Sequence, residues 1–469
     1  MNDDEIPQEE IDKIMEEKDC DKETAWSLYQ DRQERDQIKQ TRNIIEEQEK
    51  KDKENATLTK VYEVLDKYLY LPDKRRVDLI LAIALSKKEL GTPLWLVIVG
   101  SSGDAKSEII RAIEKYQGTI KIDQITPNTL ASGKPDVIKD KKTGQMITLP
   151  VVDLGSSLQN KSTLLLIPDL AVFSSKNTDD KQQIWAQFRN LYDGFINKRT
   201  GTGVNRAYEN CHVTLIGCST PVIRDEFIVH AQLGTRELMW DTGLEKDGNP
   251  SKEHTRKHKT LMAWSNEKYE EQMRKEVADI VLNFLKFKKF KRIPDEEISD
   301  EIRDYFIEEA NRLSTLRASV MIDQTHREVN NPVIAETPTR LIKQFKRIYM
   351  SMKSLDDNYN DDKIKEIIKI LVDSTGNTVR QMIMETLRLS FNRELTIKDM
   401  QMLTKIGRNS VKTQLEILWN LGVIEKEIKS ERIGAYCYAY DDSYGHHEEM
   451  RGGMIKEIEY YKWKINVEA

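Results

Sequence analysis

The segment from residue 94 to residue 116 constrains the fold of this chain most strongly. A continuous apolar run, LWLVIV (94–99), is followed at once by the loop GSSGDAKS (100–107) and then by an amphipathic stretch with three isoleucines on one helical face. A buried strand that passes directly into a helix is the first half of a strand-helix-strand unit. The segment therefore predicts an α/β fold with a parallel sheet that helices cover on both faces.

Three later runs predict further strands of the same sheet. They are TIKIDQI (119–125), STLLLIPDL (162–170) and CHVTLIGCSTP (211–221). The segment KDKKTGQMITLPVV (139–152), with Lys142, Thr143 and Gly144 at its turn, predicts a hairpin or loop between the second and third strands.

Length and composition predict several folded units, because 469 residues are too many for one ordinary core. We expect a charged helical extension (1–56), the α/β core (57–264), a helical lid and connector (265–362), a winged helix-turn-helix unit (363–440) and a carboxy-terminal tail (441–469). No apolar run approaches the roughly 18 residues that span a bilayer, and the amino terminus lacks a secretory signal. We therefore expect a cytoplasmic protein with no membrane partner.

The loop after the first strand matches the phosphate-binding pattern GxxxxGK followed by Ser or Thr, except that alanine replaces its last glycine. The loop consists of Gly100, Ser101, Ser102, Gly103, Asp104, Ala105, Lys106 and Ser107. Backbone N–H groups of such a loop hold the phosphates of ATP, while Lys106 contacts the β and γ phosphates and Ser107 ligates Mg²⁺. Ala105 is compatible with this role if its backbone is right-handed.

A carboxylate at the tip of a neighbouring strand would complete the magnesium site. Asp169 ends the run LLLIPD and is placed for this, although an aspartate there also suits a helix cap or a turn. The next residue, Leu170, stands where enzymes that hydrolyse ATP usually carry the glutamate that orients water. Candidate bases elsewhere are Asp179, Asp180, Asp193 and Glu108.

Together these residues resemble the AAA+ superfamily of P-loop ATPases, and more closely the phage and mobile-element ATPases related to replicative, MCM-like helicases. The resemblance extends from about residue 94 to residue 425 and includes the segment LYDGFINKRTGTG (191–203). In the segment LIGCSTPVI it implies that Ser219 or Thr220 lies on the γ-phosphate side as the sensor-one residue.

The same resemblance assigns two arginines. Arg236 in LGTREL (233–238) corresponds to an arginine finger, and Arg340 in ETPTRLIKQF (336–345) corresponds to the sensor-two arginine. A finger acts on the nucleotide of a neighbouring subunit, so the resemblance implies a homo-oligomer, as a hexameric ring. A salt bridge is the alternative role for each arginine.

Two basic segments are candidates for contact with DNA. In the predicted winged helix, the second helix begins with residues that would face a groove and its phosphates. These residues are Arg408, Asn409, Ser410 and Lys412. Lys198 and Arg199 precede a glycine-containing turn and would line a pore that holds a single strand. A protein-binding winged helix and a solvated basic loop are the respective alternatives, and the net charge of -6 favours neither.

From these residues and the resemblance we expect a motor that binds and hydrolyses ATP and works on DNA, as a replicative-type helicase of a mobile element or virus. Two alternatives stay open. An initiator or helicase loader would use ATP as an assembly switch and hold duplex DNA through the winged helix, and Leu170 favours it. A structural assembly protein would use the winged helix to bind another protein, without DNA.

Overall fold

The structure is a computed structural model, and it describes most of the chain. The described residues are 8–69, 71, 73–133, 137–139, 146–148, 153–199, 201, 203–224, 226, 235–245, 267–318, 333, 335–390, 393–433 and 454–463. Within these ranges, every helix is too short or too polar to pass through a lipid bilayer.

Helices form most of the described structure. They are α1 (Gln8–Lys18), α2 (Lys22–Asn55), α3 (Leu58–Tyr68), α4 (Arg75–Ser86), α5 (Lys106–Ala112), α6 (Leu154–Leu158), α7 (Thr178–Tyr192), α8 (Glu267–Phe287), α9 (Asp300–Arg317), α10 (Thr339–Leu355), α11 (Asp361–Thr375), α12 (Thr378–Leu389), α13 (Ile397–Thr404) and α14 (Arg408–Asn420). The strands are β1 (Trp95–Val99), β2 (Thr119–Lys121), β3 (Val137–Lys139), β4 (Met146–Thr148), β5 (Lys161–Ile167), β6 (Ile196–Arg199), β7 (Asn205–Tyr208), β8 (Cys211–Ser219), β9 (Leu238–Asp241), β10 (Leu395–Thr396), β11 (Ile424–Ile433) and β12 (Met454–Trp463).

The predicted parallel sheet is confirmed, with one strand more than the sequence patterns indicated. Its order is β2-β5-β8-β1-β9, and every neighbouring pair is parallel. The added strand, β9, lies at the edge beside β1. Because all five strands run the same way, the carboxyl ends of β1, β5 and β8 meet at one edge of the sheet.

Alternation along β1 divides the interior into two cores, since successive side chains of a strand point to opposite faces. Leu96 and Ile98 face a core built with α4 and the later helices. Trp95, Val97 and Val99 face the other core, which α7 covers with aromatic side chains. Helices therefore cover both faces of the sheet, as the patterns predicted.

Helices α8 to α11 are part of the main core. Phe284, Phe345 and Ile367, from three of these helices, are fully buried in the core that contains Leu96. The sequence boundary at residue 363 assigned α11 to the carboxy-terminal unit, whereas in the structure α11 packs against β9. The region predicted as lid and connector therefore extends through α11, because an amphipathic helix does not specify which apolar surface will cover it.

Side chains from the end of α11 also accept hydrogen bonds from the backbone N–H groups of β9, the edge strand of the sheet. The backbone N–H of Met239 donates to Thr375 Oγ1 (2.8 Å), and that of Asp241 donates to Ser374 Oγ (2.9 Å). These hydroxyls accept bonds that a sixth strand would otherwise accept. The short strand β9 is thereby fixed beside β1.

The carboxy-terminal unit has its own small core. Helices α12, α13 and α14 pack against the antiparallel sheet β10-β12-β11 through buried side chains such as Ile383, Leu415 and Tyr461. Helix α13 begins with a capping box between Thr396 and Asp399. Strand β12 lies in the segment that the sequence patterns assigned to the tail, and its long pairing with β11 makes it part of this unit.

The remaining elements are an amino-terminal helical pair and two hairpins. Ile11, Ile14 and Ala25 form a small core between α1 and α2, while most of α2 is exposed. Strands β3 and β4 pair as the expected hairpin, and β6 pairs with β7. Lys142, Thr143 and Gly144, predicted at the first turn, lie outside the described residues.

Candidate functional site

Three strand ends bring the predicted nucleotide residues to one edge of the sheet. The backbone N–H of Gly100, directly after β1, donates to Ser219 O at the end of β8 (3.2 Å). The N–H of Leu170, beyond β5, donates to Cys218 O (2.8 Å). The phosphate-loop pattern, Asp169 and the sensor-one segment are therefore joined by main-chain hydrogen bonds although they lie far apart in sequence.

Lys106 lies folded into the loop that precedes it. Its ammonium donates to Gly100 O (2.6 Å) and to Ser101 O, and the side chain is buried. A lysine ammonium has three N–H donors, so a third can face a ligand. Gly103 has a φ of +92° and open space where a side chain would stand, which leaves the loop backbone accessible to a phosphate.

Ala105 has a left-handed backbone, with φ 53° and ψ 19°. The condition under which an alanine would suit the loop, a right-handed backbone, is therefore not met. An alanine in this conformation is less stable by about 1 kcal/mol than a glycine would be. Ala105 directly precedes α5, so this conformation is where the loop turns into the helix.

The loop is also held by residues that no sequence pattern indicated. Thr242, directly after β9, donates to Asp104 Oδ2 (2.8 Å), and its Oγ1 lies 1.9 Å from where a Cβ at Gly100 would be. Any side chain at Gly100 would collide with that hydroxyl. The close approach of Thr242 therefore explains the glycine that opens the loop.

A buried ion pair supports the same loop from below. Arg76 on α4 donates to Asp104 O (3.1 Å), and its Nε lies 3.1 Å from Glu245 Oε1. Trp240 Nε1 donates to the same Glu245 oxygen (2.7 Å). Burial raises the pKa of Glu245 to about 7, although the Arg76 charge acts against the rise. The loop conformation is thus fixed by α4 and the β9 side of the sheet.

Asp169 and Leu170 point to different environments. Asp169 is exposed, and its Oδ1 accepts the N–H of Ala171 (2.8 Å) at the start of a 3-10 turn, Ala171–Ser175. Leu170 is buried, and its Cδ1 lies 2.7 Å from where a Cβ at Gly217 would be. The residue in the usual glutamate position is therefore a core side chain packed on β8, while the aspartate before it faces solvent.

The four candidate bases fall into two groups. Glu108 accepts from Arg274 Nε (3.0 Å) and Nη2 (3.1 Å) and also pairs with Arg111, so its carboxylate is committed to an ion pair with α8. Asp193 lies at the far edge of the sheet. Asp179 and Asp180 are in the first turn of α7, which follows the Asp169 turn, and these two stay candidates.

Of the two sensor-one candidates, Ser219 has the more informative environment. Its side chain is buried, and within the described residues its Oγ has no hydrogen-bond partner. Thr220 is half-buried. A buried hydroxyl without a partner is unfavourable by about 1–3 kcal/mol. The Ser219 hydroxyl, the Lys106 ammonium and the Asp169 carboxylate form a donor and acceptor set that fits a nucleoside triphosphate with Mg²⁺.

The two predicted catalytic arginines lie at the amino-terminal ends of the strands, on the side of the sheet opposite to the phosphate loop. In the register of β9 with β1, Asp241 is level with Val99 and Leu238 with Leu96. Arg236 precedes β9 and so lies level with Leu94, just before β1, roughly 20 Å from Gly100 at about 3.3 Å per residue. Neither Arg236 nor the neighbouring Arg340 can reach the loop of its own chain.

Both arginines have contacts at that edge. Arg236 Nη2 lies 3.2 Å from Asp193 Oδ2, and its guanidinium is 5.9 Å from the Tyr192 ring centre. Arg340 Nη1 donates to Thr235 O (3.1 Å) and lies 3.8 Å from Glu336 Oε2. The salt-bridge alternative is therefore realised within this chain. Leu233 and Gly234 of the LGTREL segment lie outside the described residues.

The candidate DNA residues differ in accessibility. The four at the start of α14, which are Arg408, Asn409, Ser410 and Lys412, are all exposed. Arg199 is exposed at the end of β6. Lys198 instead donates to Pro127 O (2.8 Å) and to Asn128 Oδ1 (2.6 Å). The Lys198 ammonium thus connects the β6-β7 hairpin to the segment that contains Pro127 and Asn128. Lys198 was predicted to lie on an open face that lines a pore, and in the structure it is bonded to this segment instead.

Comparison with known proteins identifies no family. No protein-family model and no curated protein matches the chain. Similar solved structures include a candidate ATPase from Cytophaga hutchinsonii, with 13% identity and a TM-score of 0.36 over 71% of this chain and 90% of that one. A full-length MCM homolog from Methanopyrus kandleri has 12% identity and a TM-score of 0.37 over 70% of this chain and 61% of that one. These TM-scores are low, so the functional interpretation depends on the residues of this chain.

Proposed function

We propose that this chain is an AAA+ type ATPase that binds and hydrolyses ATP with Mg²⁺ and works on DNA as a replicative-type helicase of a mobile element or virus. The observation that carries the proposal is the convergence of Lys106, Asp169 and Ser219 at one sheet edge. Main-chain hydrogen bonds between the loop and β8 support this arrangement.

Each of these residues has a role that its geometry supports. Lys106 would exchange a loop carbonyl for the β and γ phosphates, and Ser107 with Asp169 would hold Mg²⁺. Bound Mg²⁺ neutralises charge that develops on the phosphates. The buried Ser219 hydroxyl gains a partner when it donates to the γ phosphate or to the attacking water. The loop is already fixed by Thr242 and Arg76, which favours tight binding because little order must be imposed.

The position of Arg236 supports a homo-oligomer, proposed as a hexameric ring. Since the arginine lies at the edge opposite its own loop, a role at a nucleotide requires a second copy packed head to tail. Such an interface would place Arg236, with Arg340 beside it, against the loop of the neighbour. An arginine delivered in this way can raise the rate of phosphoryl transfer by about 10³–10⁵.

The carboxy-terminal unit supports a role on DNA. Its order of helix, strand, two helices and two long antiparallel strands resembles that of a winged helix, and we propose that α14 is the recognition helix. Its exposed first residues offer Arg408 and Lys412 to phosphates and Asn409 to base edges. Arg199, exposed on its hairpin, is the residue that we propose lines the central pore.

Leu170 favours a second candidate function, an ATP-switched initiator or helicase loader. Its burial against β8 places no carboxylate at the usual position of the catalytic base. A protein that binds ATP tightly and hydrolyses it slowly can use the nucleotide to stabilise an assembly. Asp179 and Asp180 are the residues on which fast hydrolysis would depend.

One set of measurements tests both candidates. Purified protein is assayed for steady-state ATP hydrolysis without DNA, with single-stranded DNA and with duplex, and its mass in solution is measured with and without ATP. Turnover that DNA stimulates in an oligomer supports the motor, whereas ATP-driven assembly with negligible turnover supports the switch. Lys106→Ala is the control that should lose both ATP turnover and ATP-driven assembly. Lys115 is an exposed lysine nearby, and Lys115→Ala should keep both. Wild-type protein that neither binds ATP nor assembles with it contradicts both functions.

A further inference from the structure

A third arginine lies beside Arg236 at the amino-terminal edge of the sheet. Arg189 precedes Tyr192 by three residues and Asp193 by four at the end of α7. Residues with this spacing share one helical face. Tyr192 and Asp193 both also contact Arg236. The helix therefore places Arg189 on the face that meets the proposed finger.

Positive charge exceeds negative charge in this cluster. Within the described part of the chain, the arginines are Arg189, Arg236, Arg317 and Arg340, and the carboxylates that face them are Asp193, Glu237 and Glu336. Asp193 pairs with Arg236, and Glu336 lies between Arg317 (3.3 Å) and Arg340 (3.8 Å). With Glu237 included, three carboxylates face four arginines, so one positive charge is in excess among these described residues.

Among the described residues Glu237 forms no ion pair with Arg189, although its negative charge acts to raise the pKa of that arginine. Its carboxylate is buried and accepts the backbone N–H of Arg236 (2.9 Å), and burial raises its pKa. Arg189 itself is half-buried, and among the described residues it forms no ion pair or side-chain hydrogen bond. Burial first, and the Arg236 charge second, lower the pKa of Arg189.

A partly desolvated arginine beside a second arginine is unfavourable unless an anion joins them. The guanidinium group is planar and presents paired N–H donors, which match the oxygens of a phosphate group. The cluster also lies at the edge that, in the proposed ring, faces the phosphate loop of the next copy. A terminal phosphate is the anion that this edge would meet.

We propose that Arg189 is a second phosphate-binding arginine, which grips the terminal phosphate of ATP held by the neighbouring copy together with Arg236. The inference rests on the proposed function and adds to it a residue that no sequence pattern assigned. A free phosphate ion could use the same donors, so the test must separate an ion bound by one chain from a nucleotide bound across an interface.

The test compares Arg189→Ala with Arg189→Lys and Arg236→Ala, and Arg303→Ala, an exposed arginine on α9, is the matched control. Steady-state ATP turnover, ATP affinity and oligomer mass are measured for each full-length variant. Arg189→Ala should lower kcat by at least about tenfold without weakening ATP binding, because the ATP that a subunit binds contacts its own loop. Arg189→Lys should have a kcat between those of Arg189→Ala and the wild type, since lysine keeps the charge and loses the paired donors. Arg303→Ala should match the wild type.

Mixing separates a role across the interface from a structural one. Arg189→Ala subunits are mixed with Lys106→Ala subunits, which have intact arginines and a defective loop. Turnover should rise above the sum of the separate proteins, because some interfaces then combine an intact loop with an intact Arg189. A folding defect in Arg189→Ala would not be rescued by a neighbour.

The outcomes are distinguishable. If Arg236→Ala loses turnover and Arg189→Ala does not, the inference is wrong and the proposed function stands. If inorganic phosphate binds the wild-type monomer and not Arg189→Ala, while Arg189→Ala turnover is unchanged, the site belongs to a free anion and the inference is also wrong. If wild-type protein neither assembles nor turns over ATP, both the function and the inference fail.

Discussion

The carboxyl ends and the amino-terminal ends of the parallel strands, here called the carboxyl edge and the amino-terminal edge, differ in how they hold their functional groups. At the carboxyl edge, main-chain atoms and buried side chains fix the loop, with Lys106 bonded to loop carbonyls and Arg76 bonded to Asp104 O. At the amino-terminal edge, half-buried arginines share a few carboxylates. The first arrangement suits a site that is complete before its ligand binds, and the second suits a surface that a ligand or a neighbour completes.

The largest effect on this comparison is expected from Glu245, the buried carboxyl beneath the loop. Its folded pKa of about 7 lies above the ordinary value of 4.5, so the native state holds its proton more tightly than the unfolded chain. The free energy of unfolding should therefore fall by up to about 3 kcal/mol as the pH rises from about 4.5 to 7.

Urea unfolding of wild type and Glu245→Gln at a series of pH values measures this contribution. The glutamine keeps the size of the side chain and does not titrate, so its curve should lack this part of the pH dependence. A wild-type slope that survives unchanged in Glu245→Gln would show that Glu245 is not the titrating group, and the loop support would then be of a different kind.

Ser219 should show effects of opposite sign on stability and on turnover. Replacing it with alanine removes a buried hydroxyl that has no partner among the described residues, so stability should stay equal or rise by about 1 kcal/mol. Loss of the proposed bond to the γ phosphate or to water should lower kcat by about tenfold, equal to about 1.4 kcal/mol. Thermal unfolding and steady-state hydrolysis measure the two effects.

Thr220→Val is the matched variant for this prediction, since Thr220 is the half-buried neighbour. If Thr220→Val lowers kcat and Ser219→Ala does not, the sensor role belongs to Thr220. The carboxyl edge would then present a half-exposed hydroxyl rather than a buried one.

The smallest effect is expected at Ala105. A glycine there should increase stability by up to about 1 kcal/mol because it relieves the left-handed conformation, although the more flexible unfolded chain offsets part of the gain. Thermal unfolding measures the change, with Ala112→Gly in α5 as a control that should destabilise. Destabilisation by Ala105→Gly would mean that Ala105 is not left-handed in the protein.

Features that depend on local sequence could be predicted. The strand, loop and helix around Lys106, the position of Asp169 at a strand end and the β3-β4 hairpin all follow from neighbouring residues. The ends of β1, β5 and β8 lie where their apolar runs stop, and parallel strands bring these ends together. The run TIKIDQI continues to Ile125, whereas β2 ends at Lys121.

Features that depend on contacts between distant parts of the chain could not be predicted from the sequence. Thr242 supports Gly100 from 142 positions along the chain, a separation that no periodicity reports. Lys198 precedes a glycine-containing turn, which predicted an exposed side chain. In the structure it donates hydrogen bonds to Pro127 and Asn128, about 70 residues earlier in the chain. Ala105 is left-handed although alanine prefers a right-handed backbone, because the geometry required between β1 and α5 overrides this preference.

In the proposed assembly, the phosphate loop of one copy and the Arg236 cluster of its neighbour form one nucleotide site. Mixing Lys106→Ala subunits with Arg236→Ala subunits and measuring ATP turnover tests it most directly, because each variant supplies the edge that the other lacks. In a head-to-tail ring of equal parts, about one interface in four would combine an intact loop with an intact arginine. The two proteins, each inactive alone, should regain turnover when they are mixed. Mixed oligomers that form and stay inactive would contradict this arrangement.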